Sequence, residues 1–210
     1  MTAGFGGIPT AAFDFYEDLE ADNSKAFWTA HKQVYDESVR APIQALMEAL
    51  GPEFGTAKLF RPYRDIRFAK DKTPYKTHQG AWFTESSLYM HISAAGLFVA
   101  GGYWEMSSAQ VDRLRRAVAD DRTGTGLVRT IDTARKKGLQ VGGQEITRVP
   151  AGYPKDHPRA DLLRLKSLTA SRDVGCPAWL STPKAKTEIA KLWRSIVPVV
   201  AWLDTNVGHD

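Results

Sequence analysis

Apolar positions in the first part of the chain recur at helical spacing. Phe13, Tyr16 and Leu19 share one face of a helix from Thr10 to about Asp22. Phe27, His31 and Tyr35 share a face of a second helix, which Asn23 or Ser24 can cap, with Trp28 beside them and Lys32 turned outward. Pro42 has no amide hydrogen and predicts a kink or break before the next stripe, Ile43, Leu46, Met47 and Leu50, which Gly51 and Pro52 end. From Thr56 the period changes to two. Short runs at Leu59–Phe60, Ile66–Phe68, Ala81–Phe83, Leu88–Ser93 and Leu97–Tyr103 predict an antiparallel meander. Within Leu88–Ser93 the alternation places Leu88, Met90 and Ile92 on one face and Tyr89, His91 and Ser93 on the other. The first face is core; the second is free to line a cleft.

Helices return after the meander. Ser107 and Gln110 form a capping-box pair ahead of Val111, Leu114 and Val118, predicting a helix over about 108–120. Another is expected over about 125–137, closed by Gly138, with Arg135, Lys136 and Lys137 suited to the negative end of its dipole. Leu139–Val141 and Gln144–Val149, around Gly142-Gly143, predict a hairpin. Asp161–Lys166 reads as a short helical piece and Ser167–Ser171 as a strand. Ser181 or Thr182 with Pro183 opens a last helix whose stripe is Ile189, Leu192, Trp193, Ile196 and Val200, interrupted at Pro198. Helices and strands do not alternate as βαβ units. The expected class is α+β, a single domain over 1–210 with a largely antiparallel sheet packed against N-terminal, middle and C-terminal helices, and with 1–9 a flexible start.

Composition narrows the setting. A chain of 210 residues with 43% hydrophobic residues can bury a full core. Its lone cysteine, Cys176, excludes an intrachain disulfide and reads as a bystander thiol. The start lacks the basic and apolar segments of a secretory signal, and no apolar run approaches the roughly 20 residues that span a bilayer. A soluble cytosolic protein with no membrane partner is expected.

The formal charge of +4 is concentrated. Residues 61–78, R-P-Y-R-D-I-R-F-A-K-D-K-T-P-Y-K-T-H, hold six Lys and Arg against two Asp, so the rest of the chain is balanced. Arginine presents a planar fork of donors matched to phosphate or carboxylate, and lysines, threonines and backbone amides of a loop can close on the same oxyanion. The motif is therefore the expected site of a small anionic ligand, with Arg61, Arg64, Arg67, Lys70, Lys72, Lys76 and His78 as contacts and Tyr75 packing against it. Arg61–Phe68 reads as a strand. Its alternation puts Arg64 on the apolar side unless Pro62 breaks the register or a carboxylate such as Asp65 pairs with it. The alternative reading of the whole motif is a network of Arg–Asp ion pairs that fastens a loop to the sheet.

Two further functions use the same residues. Asp65 or Asp71 would be the base of a hydrolase or phosphoryl-transfer enzyme, or each would simply pair with its cationic neighbours. A nucleic-acid module would join the motif to Arg113, Arg115, Arg116, Arg129, Arg135, Lys136 and Lys137, although a pI near 9.1 is only modestly basic. His91 and His157 lack spaced partners and read as structural, and no metal or cofactor motif is present. The chain also resembles a known family. Phe27, Trp28, Lys32 and Tyr35 in F-W-x-x-x-K-x-x-Y, then R-x-x-R-D-I-R-F-A-K-D-K-T-P-Y-K, then H-I-S-A-A-G-L-F-V-A-G-G-Y-W, are similar to domain of unknown function 2461, an uncharacterised α+β family of bacteria and fungi. The resemblance covers nearly the whole chain and implies one intact domain, without an activity, substrate or cofactor. His78 stands where that family often has Asn, and Met106 where it tends to have Pro.

Overall fold

The structure is a computed structural model that describes residues 4–67 and 70–210. The chain divides into two compact units, Met1–Val99 with Asp173–Lys191 and Ala100–Arg172 with Leu192–Asp210. Its strands are β1 (Ala57–Leu59), β2 (His78–Phe83), β3 (Leu88–Ser93), β4 (Gly96–Tyr103), β5 (Gln140–Gly142) and β6 (Leu168–Gly175). They form one sheet in the order β1-β2-β3-β4-β6-β5, antiparallel at β1–β2, β2–β3 and β5–β6. The class is α+β.

In the first unit, α1 (Ala11–Ala21) packs on β3 and α3 (Ala41–Phe54) on β1. The buried stripe of α1 is Ala12, Phe15, Tyr16 and Leu19, while Thr10 precedes it in helical conformation without a side-chain cap. Ser24 caps α2 (Lys25–Val34), its hydroxyl accepting from the Phe27 amide at 3.1 Å. Pro42 does not break the following stripe. A π-helical turn, Tyr35–Arg40, joins α2 to α3, and the Ala41 amide reaches back to the Asp36 carbonyl. The wider turn admits the proline ring at the start of α3, where no amide hydrogen is needed. Nor is the N-terminal segment wholly loose: Ile8 is fully buried and its amide donates to the Leu180 carbonyl at 2.7 Å. Residues 1–3 lie outside the described residues.

In the second unit, α4 (Ser108–Ala119) carries the expected capping box of Ser107 and Gln110. Its partner α5 (Asp121–Lys136) begins earlier than the spacing suggests, because Asp120 ends one helix and caps the next, accepting from the Thr123 amide at 2.9 Å. Arg159 precedes the short α6 (Ala160–Leu163) and donates to the Val118 and Ala119 carbonyls at the end of α4. The helix α7 (Lys184–Asn206), which belongs to this unit from Leu192 on, runs through Pro198, which is exposed, because Ile196, Val199, Val200 and Leu203 are buried on either side of it.

The hairpin expected over 139–149 does not form. Residues 140–142 pair with 169–171 of β6, and the run continues through the Glu145–Leu165 bridge and the Lys166 amide donating to Gln144 at 2.6 Å. Gly142-Gly143 is therefore no turn. A Cβ on Gly143 would lie 2.1 Å from the Ser167 carbonyl oxygen, so the glycine permits close passage of two extended segments. Gly102 plays the same part in β4, with φ +126° and space for a Cβ only 2.4 Å from the Leu168 carbonyl oxygen. Gly102→Ala combines a backbone clash with a disfavoured φ. It should lower unfolding free energy by at least about 2 kcal/mol in urea denaturation.

Candidate functional site

Residues 61–67 are not a strand. Pro62 and Pro74 supply carbonyls and no amides: the Lys76 amide donates to Pro62 at 2.8 Å and the Arg64 amide to Pro74 at 2.9 Å, on either side of an isolated Tyr63–Tyr75 bridge. The Asp side chains then turn back on their own backbone. Asp65 accepts from the Arg67 amide at 3.2 Å and Asp71 from the Thr73 amide at 2.9 Å, which gives the chain local partners in place of a ladder. Phe68 lies outside the described residues.

This loop is held from the junction of α1 and α2. The Asn23 amide group donates to the Tyr75 carbonyl and its oxygen accepts from the Tyr75 amide, both at 3.0 Å. The Tyr75 ring is buried and stacks on Trp28 at 4.3 Å and 8°. Tyr75 thus anchors the loop. Tyr35, which also packs on Trp28, donates to the buried Gln79 at 2.6 Å, and Gln79 donates in turn to the Phe60 and Gly80 carbonyls. Burial pushes the Tyr35 hydroxyl up to about 12, so it remains a donor.

The charges of the motif divide into two groups. Arg67 makes a two-pronged bond to Asp65, at 3.0 and 2.7 Å, and Arg64 bonds Asp71 at 2.5 Å and Thr73. Hydrogen bonds from the Arg67 side chain and then its amide hold Asp65 below the usual carboxylate range. The Thr73 amide, followed by Arg64, holds Asp71 down to about 2. Lys72 donates to the Ile66 carbonyl at 3.0 Å. Lys76 differs. It is half-buried, its ammonium lies 5.3 Å from the centre of the Phe60 ring, and burial and then Arg61 lower its proton affinity. The exposed Arg61 and Lys70 donate no side-chain hydrogen bond among the described residues.

Beside Lys76 begins the outer face of β2 and β3. Gly80 faces His91 in the strand register, so His78 and His91 are diagonal neighbours, their rings 5.0 Å apart. His91 stacks on Phe98 of β4 at 4.9 Å and 17°. Burial, then Lys76, then Arg64 lower the proton affinity of His78; burial and then His78 bring that of His91 down to about 4, with Asp173 opposing. The Nδ1 atom of His91 is buried without a partner. Far from being a satisfied structural histidine, His91 adjoins the expected site. Its place on the polar face of an alternating strand was the available signal. Asn23 and Trp28 gave none, since their contacts span roughly fifty residues of chain.

A family described as a conserved hypothetical protein, DUF2461, matches residues 11–202. The chain belongs to this family. No curated protein and no solved structure shows a significant match. Two of the sequence patterns that the chain shares with the family meet in space: Trp28 of the early pattern stacks on Tyr75 of the central motif, and Tyr35 binds Gln79 just beyond it. Lys32 pairs with Asp36 on the exposed helix surface.

The remaining candidates stand apart from this chemistry. His157 accepts from the Arg159 amide at 3.0 Å within its turn. Cys176 is an exposed residue, and the partial desolvation of its thiol raises its proton affinity, the reverse of an activated nucleophile. Arg113 donates to the Val207 carbonyl and Asp210, Arg115 to the Leu163 carbonyl and Arg135 to the Val141 carbonyl. Among the described residues no group of three or more His, Cys, Asp or Glu could hold a metal ion, and no helix is long and apolar enough to cross a membrane.

Two outcomes test this architecture. Asn23→Ala leaves the Tyr75 amide and carbonyl without their partner, so it should cost roughly 2 kcal/mol and speed tryptic cleavage at Arg61–Lys76. Lys32→Ala, which removes an exposed pair, should change stability by less than about 0.5 kcal/mol. The imidazoles govern a pH window. Because the folded state holds His91 near 4, the unfolded chain binds more protons between about 6.5 and 4, and stability rises with pH across that interval. Acidification through it should cost on the order of 2 kcal/mol, and His91→Phe should flatten the slope there. Loss of the Asp71 interactions belongs to a separate window, from its ordinary 3.8 down to about 2.

Proposed function

We propose that this protein binds a small anion bearing a phosphate or carboxylate group on the β2 side of the 61–78 loop. Lys76 carries the reading. A half-buried ammonium that pairs with no carboxylate among the described residues, next to a second unpaired cation in Arg61, is unfavourable alone and favourable with a counter-ion present. The carboxylates of the loop are already engaged by Arg64 and Arg67, so the anion would come from outside the loop. His78, which burial and the charges of Lys76 and Arg64 keep neutral, borders this positive region on β2. Arg64, Arg67 and Lys72 then serve to hold the loop in shape, and Arg61, Lys76 and His78 to meet the ligand, with Lys70 exposed nearby in sequence.

Hydrolysis or phosphoryl transfer with Asp65 or Asp71 as base draws less support. Both carboxylates are kept ionised by strong donors, whereas a general base works best poised near the operating pH. Nucleic-acid binding draws less again, because Arg113, Arg115 and Arg135 already donate within their own unit. A soluble cytosolic setting accords with a lone free thiol. Thermal-shift measurements against inorganic phosphate, nucleotides and organic acids test the reading. At least one anion should raise Tm in proportion to the logarithm of its concentration, and Lys76→Ala should abolish the shift. A flat response from the folded wild-type protein to every anion would overturn it.

A further inference from the structure

The outer faces of β2 and β3 carry two imidazoles whose nitrogens are not used by the fold. Neither His78 nor His91 makes a side-chain hydrogen bond among the described residues, although their rings are fixed, His91 against Phe98 and each against the other. A neutral imidazole has one donor and one acceptor. The buried Nδ1 of His91 meets neither. An unmet buried N–H is costlier and rarer than an unmet acceptor, so we assign the hydrogen of His91 to Nε2 and leave Nδ1 bare. His91 then presents a neutral N–H donor, oriented by the Phe98 stack, beside His78, on which the cations Lys76 and Arg64 act.

We propose that His91 and His78 form the proton-linked half of the anion site, and that its ligand is a phosphate-type dianion in preference to a carboxylate. The inference rests on the small-anion reading and adds two residues' roles and a ligand class to it. Lys76 and Arg61 are two cations without a carboxylate partner among the described residues, which a dianion matches and a carboxylate only halves. A tetrahedral oxyanion also has enough oxygens to accept from His91 Nε2 and from the ammonium together. His78 supplies the linkage. With the site empty, burial and then the cations Lys76 and Arg64 favour the neutral ring of His78, which lies beside the neutral His91. Asp173 of β6 acts on His91 in the opposite sense. An arriving dianion reverses the balance at His78, which takes up a proton as the complex forms, from solvent where the ligand is already a dianion and from the ligand's own monoanion at lower pH. Apart from that proton no covalent bond changes.

Isothermal titration with inorganic phosphate and with acetate, in buffers of different ionisation enthalpy, reads both parts of the proposal. Ring-proton NMR of the two histidines over pH 3–8 accompanies it. Phosphate should bind at least about tenfold tighter than acetate, with proton uptake by His78 once the proton released on ionisation of the phosphate monoanion is subtracted, and should raise the His78 pKa by at least about one unit. His91→Gln and His78→Gln should each weaken phosphate binding about tenfold in folded protein. The wild-type NMR titration remains decisive if either variant fails to fold. Phosphate binding that Lys76→Ala abolishes, while both imidazole titrations stay unchanged, would overturn the histidine pair and leave the small-anion reading standing. Acetate binding as tightly as phosphate would overturn the ligand class alone. Wild-type protein that binds neither anion would overturn both readings.

Discussion

The two-pronged bond between Asn23 and the backbone of Tyr75, together with the Trp28 stack on the Tyr75 ring, is the constraint on which the basic loop depends. A loop so rich in like charge has every electrostatic reason to spread into solvent. Offset or parallel aromatic stacking adds about 0.5–1.5 kcal/mol to the burial of the rings, and a side-chain amide that satisfies both a donor and an acceptor adds to it. Because Asn23 belongs to the α1–α2 junction, the loop takes its position from the helices. Tyr35 and Gln79 continue the same attachment into β2, so the base of the loop and the start of the strand that carries His78 are fixed by one connected set of contacts.

The sequence is legible wherever structure is decided by neighbours along the chain. The alternation of Leu88–Ser93 appears unchanged in the burial of β3, and the Ser107–Gln110 capping box opens α4 as its residue types require. It is least legible where a residue with a strong local meaning serves a distant one. Gly142-Gly143 has the composition of a two-residue turn, yet its small size is used against Ser167. Pro42 should stop a helix, and a π-helical turn accommodates it. Pro62 and Pro74 illustrate both sides: they weaken the strand reading of 61–68, but that their carbonyls would face Lys76 and Arg64 is visible only once the loop is folded.

The same division holds for the site. That positive charge gathers in this motif follows from eighteen residues of sequence, and they leave open whether its arginines meet a ligand or pair with its carboxylates. Which arginine takes which carboxylate does not follow from them either. Asp65, next to Arg64 in the chain, binds Arg67, and Arg64 reaches across the loop to Asp71. That exchange decides which cations remain. Had Arg64 taken Asp65, Arg67 would have been the spare charge, 76% exposed and solvated, with little to gain from a ligand. As folded, the exposed pairs are consumed inside the loop, and a cation without a carboxylate partner is the half-buried one over Phe60.

Preorganisation gives that arrangement its meaning. An anion site assembled from mobile surface lysines must order each side chain on binding, and the lost rotamer freedom offsets much of the attraction. Here the fold has already fixed the surroundings: Lys76 is held between Tyr75 and the bond from its own amide to Pro62, and His91 lies flat on Phe98. Burial, and after it the neighbouring cations, lower the proton affinities of Lys76 and His78 in the folded state. A negative charge placed beside them would offset the part that the neighbouring cations contribute and not the part due to burial.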